Sequence, residues 1–262
     1  MKKILIVFGS KSDETVYNKI TEVLKQHEDI HYEMRICSAH RTPEELNTIL
    51  KETDANVIIA GAGLAAHLPG VIASKTIKPI IGVPVSGNYQ GLDALLSIMQ
   101  MPPGIPVLST GVDRAEVAAK QAVLMLKEYD KVHIFGEESN KAVKKAVNLL
   151  KEFEIPYELN PDFEANSLNI KFVQLDEEAE QRNDLLIYVP LLNKDDDSAE
   201  AALNVLKNSS NGLWVGLNRG DNAAMAAIEI MNFAHKYTDA LDNYRKNNAE
   251  KVKGHDKEER KK

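Results

Sequence analysis

The chain has 262 residues, of which 44% are hydrophobic and 27% are charged, and its formal net charge is −7. This length exceeds the ~100–150 residues typical of one domain, so two modest domains are expected. The acidic balance argues against a nucleic-acid partner, although it leaves room for a local phosphate site. A single cysteine, Cys37, excludes an intrachain disulfide framework and fits a reducing compartment. No apolar run approaches the ~18 residues of a membrane-spanning helix, so no membrane partner is expected.

The N-terminal stretch superficially resembles a leader peptide, because Lys2 and Lys3 precede the apolar run Ile4–Phe8. That run is too short for a leader, and charged residues follow it at once. We interpret it as a first buried strand that ends at Gly9, and we expect a cytoplasmic protein.

Strand-like and helix-like patterns alternate along the first half. The expected elements after the first strand are a helix over 14–27, a strand over 31–37, a helix over 44–52, strands over 57–60, 79–83 and 107–108, and a helix over 115–126. Such alternation predicts an α/β fold with a parallel, doubly wound sheet. Ligands of these sheets bind at the carboxyl ends of the strands. Segments rich in Ser, Gly or charged residues fall at those predicted ends, at residues 9–13, 38–43, 61–70 and 86–88.

His40 and Arg41 are the most informative pair, because they stand between a predicted strand and a predicted helix. Arg41 and the amides of a helix start can hold an anion, while His40 can move a proton near neutral pH. In the segment before them, the hydroxyls of Ser10 and Ser12 suit a phosphate, and Asp13 suits ribose hydroxyls. Simple capping of the next helix by Asp13 is the alternative.

The segment 61–70 carries almost no side-chain bulk before His67. Such a loop lets a flat ring lie against the backbone, whose amides can bond to it. Tight packing of the loop under a helix is the alternative. The Pro-rich segment 100–106 is predicted to shape a loop over the site or to form a subunit contact. Cys37 is interpreted as a packing residue, and no zinc-ligand spacing is present, so no metal is expected.

The pattern starts again in the second half, where residues 131–140 echo 6–13 and residues 155–159 echo 30–34. Residues 184–187 match 56–59 at a distance of 128 positions, whereas Ala223 matches Ala115 at 108 positions. We interpret this as a duplication whose second copy has lost about 20 residues after its third strand. The alternative is that any two halves of this fold class look alike.

We therefore expect a catalytic domain over residues 1–128, a degenerate repeat over 131–235, and a C-terminal helix with a charged tail over 236–262. The pattern predicts a helix as far as about residue 251, followed by a frayed and solvated charge run over 253–262.

In order and spacing, four motifs resemble the class I N5-carboxyaminoimidazole ribonucleotide mutases of purine biosynthesis. They are Gly9–Asp13, Ser38–Pro43, Ala60–Gly70 and Leu95–Pro102, within about residues 3–126. The resemblance implies a flavodoxin-like three-layer α/β/α fold, here duplicated, and an oligomer, usually an octamer, with sites at subunit junctions. It also implies a reaction without metal or organic cofactor, which moves a carboxylate from an exocyclic amine to C4 of an aminoimidazole ribonucleotide.

The same resemblance implies roles for individual residues, with His40 as the proton-transfer residue. The implied substrate-binding residues are Ser10, Ser12, Asp13, Ser38, Ala39, Arg41, Gly61, Ala62, Gly63, His67 and Leu68. In this set the serine hydroxyls and Arg41 would hold the 5′-phosphate, and Asp13 the ribose. The glycine loop would face the imidazole ring, with His67 and Leu68 closing the site.

Two departures from the family pattern are Leu64, where another glycine is usual, and the unusual sequence Ser-Gly-Asn-Tyr at residues 86–89. One alternative function is direct carboxylation of aminoimidazole ribonucleotide by free carbon dioxide. Enzymes of that class typically have Lys after the His, so Arg41 favours the mutase. A second alternative is a non-catalytic ribonucleotide-binding protein, against which the intact His40 argues.

The second copy is expected to lack catalysis. Glu137 stands opposite Ser10, Ala165 opposite His40, and residues 189–191 replace the ring-binding loop. The second copy would supply interfaces that a second subunit otherwise provides. A homo-oligomer of four tandem chains could then imitate an octamer with half its sites.

Overall fold

A computed structural model of the chain describes residues 2–164 and 166–261. The strands of the described residues are β1 (Lys2–Phe8), β2 (Ile30–Ile36), β3 (Val57–Ala62), β4 (Ile80–Pro84), β5 (Leu108–Ser109), β6 (Val132–Phe135), β7 (Tyr157–Leu159), β8 (Leu168–Val173), β9 (Leu185–Pro190) and β10 (Leu213–Trp214). The α-helices are α1 (Glu14–Leu24), α2 (Pro43–Glu52), α3 (His67–Ala73), α4 (Leu92–Met99), α5 (Ala115–Met125), α6 (Lys141–Glu152), α7 (Ser198–Asn208), α8 (Gly220–Met231) and α9 (Thr238–Glu259). All the strands belong to one sheet.

The first half is a flavodoxin-like unit. Its strands are parallel and lie in the order β2-β1-β3-β4-β5, which is the order of the flavodoxin class of doubly wound sheets. Strand β1 is apolar throughout Ile4–Phe8 because helices cover both of its faces. Helices α1 and α5 pack on one face, and α2, α3 and α4 pack on the other. The result is the expected three-layer α/β/α arrangement.

The second half repeats this strand order from the opposite edge, as β7-β6-β8-β9-β10. The two halves join where β10 pairs antiparallel with β5, at Trp214 and Ser109. Helices α6 and α8 share the face of α1 and α5, while α7 lies on the other face. In the first half α2 follows β2 and α3 follows β3. The described residues of the corresponding connections, 160–167 and 174–184, contain no helix.

This topology corrects the alignment of the halves that the sequence suggested. Strand β9 holds the fourth position from its edge, as β4 does, so the match between 184–187 and β3 is wrong. Strand β8, which was not predicted, holds the position of β3. Residues 189–190 therefore end a fourth strand and do not form a ring-binding loop. The shortening lies in the two helix-free connections before β9.

Most predicted elements of the first half lie within three residues of their observed bounds, but α3 and α4 were not predicted. At the C-terminus, α9 continues to Glu259, so the prediction of fraying from residue 253 is wrong for the described part of that segment. Lys253 pairs with Glu250 and Arg260 with Asp256 one turn away, and such pairs stabilise an exposed helix. Lys262 lies outside the described residues.

The Pro-rich segment 100–106 packs on the second half of the chain. The Asn222 side chain accepts from the Gly104 N–H at 2.9 Å and donates to the carbonyls of Met101 and Pro102. Gly104 has a φ of 81° and lies against the Tyr244 ring of α9. The segment therefore forms a contact within one chain. No helix among the described residues is both long and apolar enough to cross a membrane.

Candidate active site

A cleft of about 650 Å³ opens at the carboxyl ends of β1, β2, β3 and β4. This size suits a small organic ligand. All the sequence-predicted site residues except Gly61 line it, namely Ser10, Ser12, Asp13, Ser38, Ala39, His40, Arg41, Ala62, Gly63, His67 and Leu68. The topology explains this convergence, because the carboxyl ends of adjacent parallel strands meet at one edge of the sheet.

The turn after β1 presents two hydroxyls and a carboxylate to the cleft. Ser10 Oγ accepts from the Ser12 N–H at 3.2 Å and lies 2.8 Å from Ser12 Oγ, and it caps a single 3₁₀ turn. Asp13 stands at the N-cap of α1 but makes no side-chain capping bond, so its carboxylate is not used for capping. Burial raises the pKa of Asp13, a hydrogen bond from Ser12 lowers it, and the charge of Asp113 raises it.

The turn after β2 is held by its own side chains. Thr42 Oγ1 accepts from the Ser38 N–H at 2.9 Å, and the Arg41 N–H donates to Ser38 Oγ at 3.2 Å. Arg41 Nη2 donates to the Gly9 carbonyl at 2.9 Å, which fixes the guanidinium beside the first turn. The guanidinium is exposed and has further N–H groups for an anion. Cys37 is buried directly behind this turn, as its packing interpretation requires.

Two imidazoles meet in the middle of the cleft. His40 Nε2 lies 2.9 Å from His67 Nδ1, and the ring planes are 86° apart. One nitrogen must donate and the other accept, so the contact holds one proton between the two rings. His67 is the first residue of α3, and this short helix fixes its position relative to the turn that carries His40. The arrangement can orient one imidazole for proton transfer to a ligand.

Gly61 does not line the cleft. A Cβ at this position would stand 2.1 Å from the Phe8 ring, so the glycine leaves room for that side chain in the core. Ala62 and Gly63, which follow it, do line the cleft. Leu64 has a φ of 56°, in the left-handed region that favours glycine, and its side chain is 61% exposed. This conformation explains why a glycine suits that position better.

Six further residues line the cleft and were not predicted to bind substrate, namely Gly9, Leu64, Ala65, Val85, Ser86 and Gly87. Asp113 was not predicted either, although its Oδ1 accepts from the Ser86 N–H at 2.9 Å and so holds the loop after β4. The available signal was the resemblance between Gly-Val-Asp-Arg at 111–114 and Gly-Leu-Asn-Arg at 216–219. Among the described residues, no group of three or more His, Cys, Asp or Glu side chains is arranged to hold a metal ion.

Comparison with known proteins relates this site to a family. A model of AIR carboxylases matches residues 3–133, which is half of the chain and includes every residue that lines the cleft. The chain belongs to the AIR carboxylase family.

Three proteins with similar sequences illustrate the match. An N5-carboxyaminoimidazole ribonucleotide mutase of Methanocaldococcus jannaschii is 54% identical over 123 residues, which span 47% of this chain and 78% of the relative. A phosphoribosylaminoimidazole carboxylase of Candida glabrata is 41% identical over 160 residues, 58% of this chain and 28% of the relative. A probable N5-carboxyaminoimidazole ribonucleotide mutase of Methanobrevibacter smithii is 40% identical over 190 residues, 69% of this chain and 54% of the relative.

The edge of the second half that corresponds to the AIR carboxylase cleft has different chemistry. Asn140, at the start of α6, caps that helix by accepting from the Ala142 N–H at 2.7 Å. Asp197 caps α7 in the same way and lies in an acidic loop with Asp195 and Asp196. The residue that the sequence placed opposite His40, Ala165, lies outside the described residues. The carboxylates of this edge would repel a phosphate.

Proposed function

We propose that this chain converts N5-carboxyaminoimidazole ribonucleotide into 4-carboxy-5-aminoimidazole ribonucleotide in purine biosynthesis. The observation that carries the proposal is the His40–His67 pair, which lies in a cleft together with the hydroxyls and guanidinium that suit a phosphate. Membership of the AIR carboxylase family and the names of the relatives agree with it.

The proposed substrate contacts follow from the geometry of the cleft. Ser10, Ser12, Ser38 and Arg41 hold the 5′-phosphate, since hydroxyl and guanidinium donors suit its oxygens. Asp13 accepts hydrogen bonds from the ribose hydroxyls, because its carboxylate is not used for helix capping. The imidazole ring lies against Ala39, Ala62 and Gly63, which leave room for a flat group, with His67 and Leu68 at the side.

In the proposed reaction His40 carries one proton in a cycle. The N–C bond of the carbamate breaks, carbon dioxide is released, and the electron pair returns to the exocyclic nitrogen, which takes a proton from His40. C4 of the ring then attacks the retained carbon dioxide, and a C–C bond forms. The proton on C4 leaves to His40, which restores its starting state. Holding carbon dioxide beside the ring supplies proximity, which is the main contribution of a closed site.

The test is incubation with the carbamate ribonucleotide while the formation of the C4-carboxylated product is followed. His40→Asn should lower kcat by about 10²–10⁴-fold while ribonucleotide binding is retained, because only the proton carrier is removed. Equal rates in the variant and the wild type would exclude His40 as the proton carrier. Tight ribonucleotide binding without turnover by the wild type would instead favour a non-catalytic binding protein.

Direct carboxylation of aminoimidazole ribonucleotide is the second candidate function, which the name of the Candida glabrata relative favours. The two reactions share the C4 step and differ in the source of carbon dioxide. Activity that requires added bicarbonate and ignores the carbamate would identify the direct carboxylase. Turnover of the carbamate without bicarbonate would identify the mutase.

We also propose that the second half is a catalytically inactive, shortened copy of the first. Its repeated strand order and the Methanobrevibacter smithii match, which extends beyond residues 3–133, support a duplication. Its described residues contain no counterparts of α2 and α3, and α3 is the helix that carries His67. Domains over 1–128 and 131–235, followed by a C-terminal segment over 236–262, fit this proposal. Cytoplasm is the proposed location, since the only cysteine is a free buried thiol.

The proposed assembly is a tetramer of tandem chains that imitates an octamer of single domains. Light scattering measures this directly, because a tetramer and an octamer of the same 29.1 kDa chain differ twofold in mass. An octamer of chains would contradict the proposal that the second half replaces a second subunit.

A further inference from the structure

We propose that Asp113 is a positioning residue of the active site, which holds the loop after β4 and acts through its charge on Asp13. The inference rests on the proposed function only in giving Asp13 the ribose. Its geometric basis is a turn that occurs twice in the chain, once with Asp and once with Asn.

Asp113 connects the loop after β4 to helix α1. Its N–H donates to the Pro84 carbonyl at 2.9 Å, and its Oδ1 accepts from the Ser86 N–H at 2.9 Å. Lys19 of α1 donates through Nζ to the Asp113 carbonyl at 3.1 Å. Ser86 and its neighbours line one side of the cleft, and Asp13 at the start of α1 lines another. Asp113 therefore fixes two walls of the cleft relative to each other.

The second half contains the same turn with an amide in place of the carboxylate. Asn218 has a φ of 56° and Asp113 a φ of 58°, both in the left-handed region that Asn and Asp tolerate better than bulkier residues. The Asn218 N–H donates to the Pro190 carbonyl at 2.9 Å, and its Oδ1 accepts from the Leu192 N–H at 3.1 Å. Each bond corresponds to one made by Asp113.

The amide makes one bond that the carboxylate cannot make. Asn218 Nδ2 donates to the Leu192 carbonyl at 2.9 Å, whereas an ionised Asp113 has no proton to donate to Ser86. The second oxygen of Asp113 takes no hydrogen bond from any residue of the described ranges. Asn thus satisfies the turn more fully, so the carboxylate in the AIR carboxylase half has a use other than holding the turn.

That use is electrostatic. The charge of Asp113 raises the pKa of Asp13, in the same direction as the larger effect of burial. The other charged or titratable groups on the elements around Asp13 are Lys11 and Glu14 on its own turn, Tyr17 and Lys19 on α1, His40 and Arg41 after β2, and His67 on α3. The negative charge of Asp113 raises the pKa of Asp13 together with burial. Removing that charge should therefore favour the ionised form of Asp13.

The test compares Asp113→Asn with the wild type by ¹³C NMR titration of the Asp13 carboxyl, which is assigned with Asp13→Asn. Because Asn218 shows that the turn accepts an amide, Asp113→Asn should fold with a melting temperature no lower than that of the wild type. Its Asp13 titration should move to lower pH. In activity assays, the rise of KM on acidification should move to lower pH as well.

Two further variants separate the charge from the hydrogen bond. Asp113→Ala removes the bond to Ser86 too and should raise KM by about 2- to 12-fold even at pH 8, the loss expected for one net hydrogen bond. Asn218→Asp places the same charge on the other half and should leave the Asp13 titration unchanged.

An unchanged Asp13 titration in Asp113→Asn would overturn the inference, and so would failure of this variant to fold. The NMR titration needs no substrate. It therefore distinguishes a wrong role for Asp113 from a wrong reaction, which would appear as missing turnover in the wild type.

Discussion

His40 Nε2 and His67 Nδ1 lie 2.9 Å apart with their rings nearly perpendicular, although the two residues come from different βα connections of the sheet. The two nitrogens share one proton, because two N–H groups cannot face each other at this distance. The pair therefore fixes which nitrogen of His40 remains open to a ligand. That nitrogen is Nδ1.

Replacing His67 by Ala should lower kcat by about 2- to 12-fold, because His40 loses the hydrogen bond that orients its ring. KM should change less, since the phosphate contacts remain. Steady-state kinetics of His67→Ala against the wild type measure the split. His31→Ala removes an exposed histidine on β2 and serves as the matched control with wild-type kinetics. A variant with raised KM and unchanged kcat would show that His67 only binds.

Asp13 should show a trade-off between binding and stability. Loss of a charged acceptor in Asp13→Asn should raise KM by roughly 10- to 100-fold. Because the pKa of Asp13 is raised in the folded state, the folded protein binds this proton more tightly than the unfolded chain does. Its contribution to stability is therefore present at low pH and is lost as pH rises from the unfolded value of 3.8 through the raised folded value.

The neutral amide avoids that loss, so Asp13→Asn should melt at a higher temperature than the wild type at pH 7 and at the same temperature at pH 3. Thermal melts at the two pH values measure this. Lower stability of the variant at pH 7 would show that the ionised Asp13 carboxylate stabilises the fold.

Glu229 should make stability pH-dependent at the junction of the two halves. The carboxylate is buried on α8 and accepts from Arg245 Nη2 of α9 at 2.6 Å, and Arg245 also donates to the Ala73 carbonyl at the end of α3. Burial raises the pKa of Glu229 to about 8, although Arg245 acts in the opposite direction. Stability should therefore fall as pH rises from 4.5 to about 8.

Glu229→Gln keeps an acceptor for Arg245 and removes the titration. Between pH 4.5 and pH 8, the unfolding free energy of the variant should rise relative to that of the wild type by a few kcal/mol, ~5 at most. Denaturant unfolding across that range measures it. Glu250→Gln, at an exposed position on α9, is the matched control and should run parallel to the wild type. Parallel curves for Glu229→Gln would mean that Arg245 keeps Glu229 ionised throughout.

The sequence predicted which residues meet in the cleft because these residues follow strands that are apolar on both faces. Ile4–Phe8 and Val57–Ala60 can only be buried strands of a parallel sheet, so the polar residues after them must lie at one edge. Gly61 was misjudged for a related reason. A small residue beside a predicted ligand loop looks like room for a ring, but the ring it accommodates is that of Phe8.

Helix α3 and strand β8 were missed for different reasons. Helix α3 contains Pro69 and Gly70, which locally favour a loop, yet Leu68 and Ile72 are buried against the sheet and stabilise the helix. Strand β8 carries Asn169 and Lys171 on the face opposite α6 and α8, where Asn169 is buried and donates to the Leu185 carbonyl, so its sequence lacks the long apolar run of β1. The alternation of apolar and polar residues over 168–172 is itself typical of a strand, and this signal was overlooked.

Helix α9 should consist of an inner part that stabilises the protein and an outer part that does not. Leu241 is fully buried, Arg245 pairs with Glu229, and Tyr244 packs against Phe153. Deleting 238–262 removes the buried Leu241 side chain and the Tyr244 ring and should cost at least ~2–5 kcal/mol of unfolding free energy. Deleting 252–262 removes exposed side chains such as Val252 and should leave the melting temperature unchanged.

The two truncations are matched, because they share the same end and differ only in the inner turns. Thermal melts and light scattering on both proteins separate folding from assembly. If the shorter deletion left the melting temperature unchanged but reduced the mass of the assembly, the outer turns of α9 would be an intersubunit contact. If the shorter deletion lost as much stability as the longer one, it would contradict the division of α9 into two parts. Only the protein with the shorter deletion keeps the Glu229–Arg245 pair.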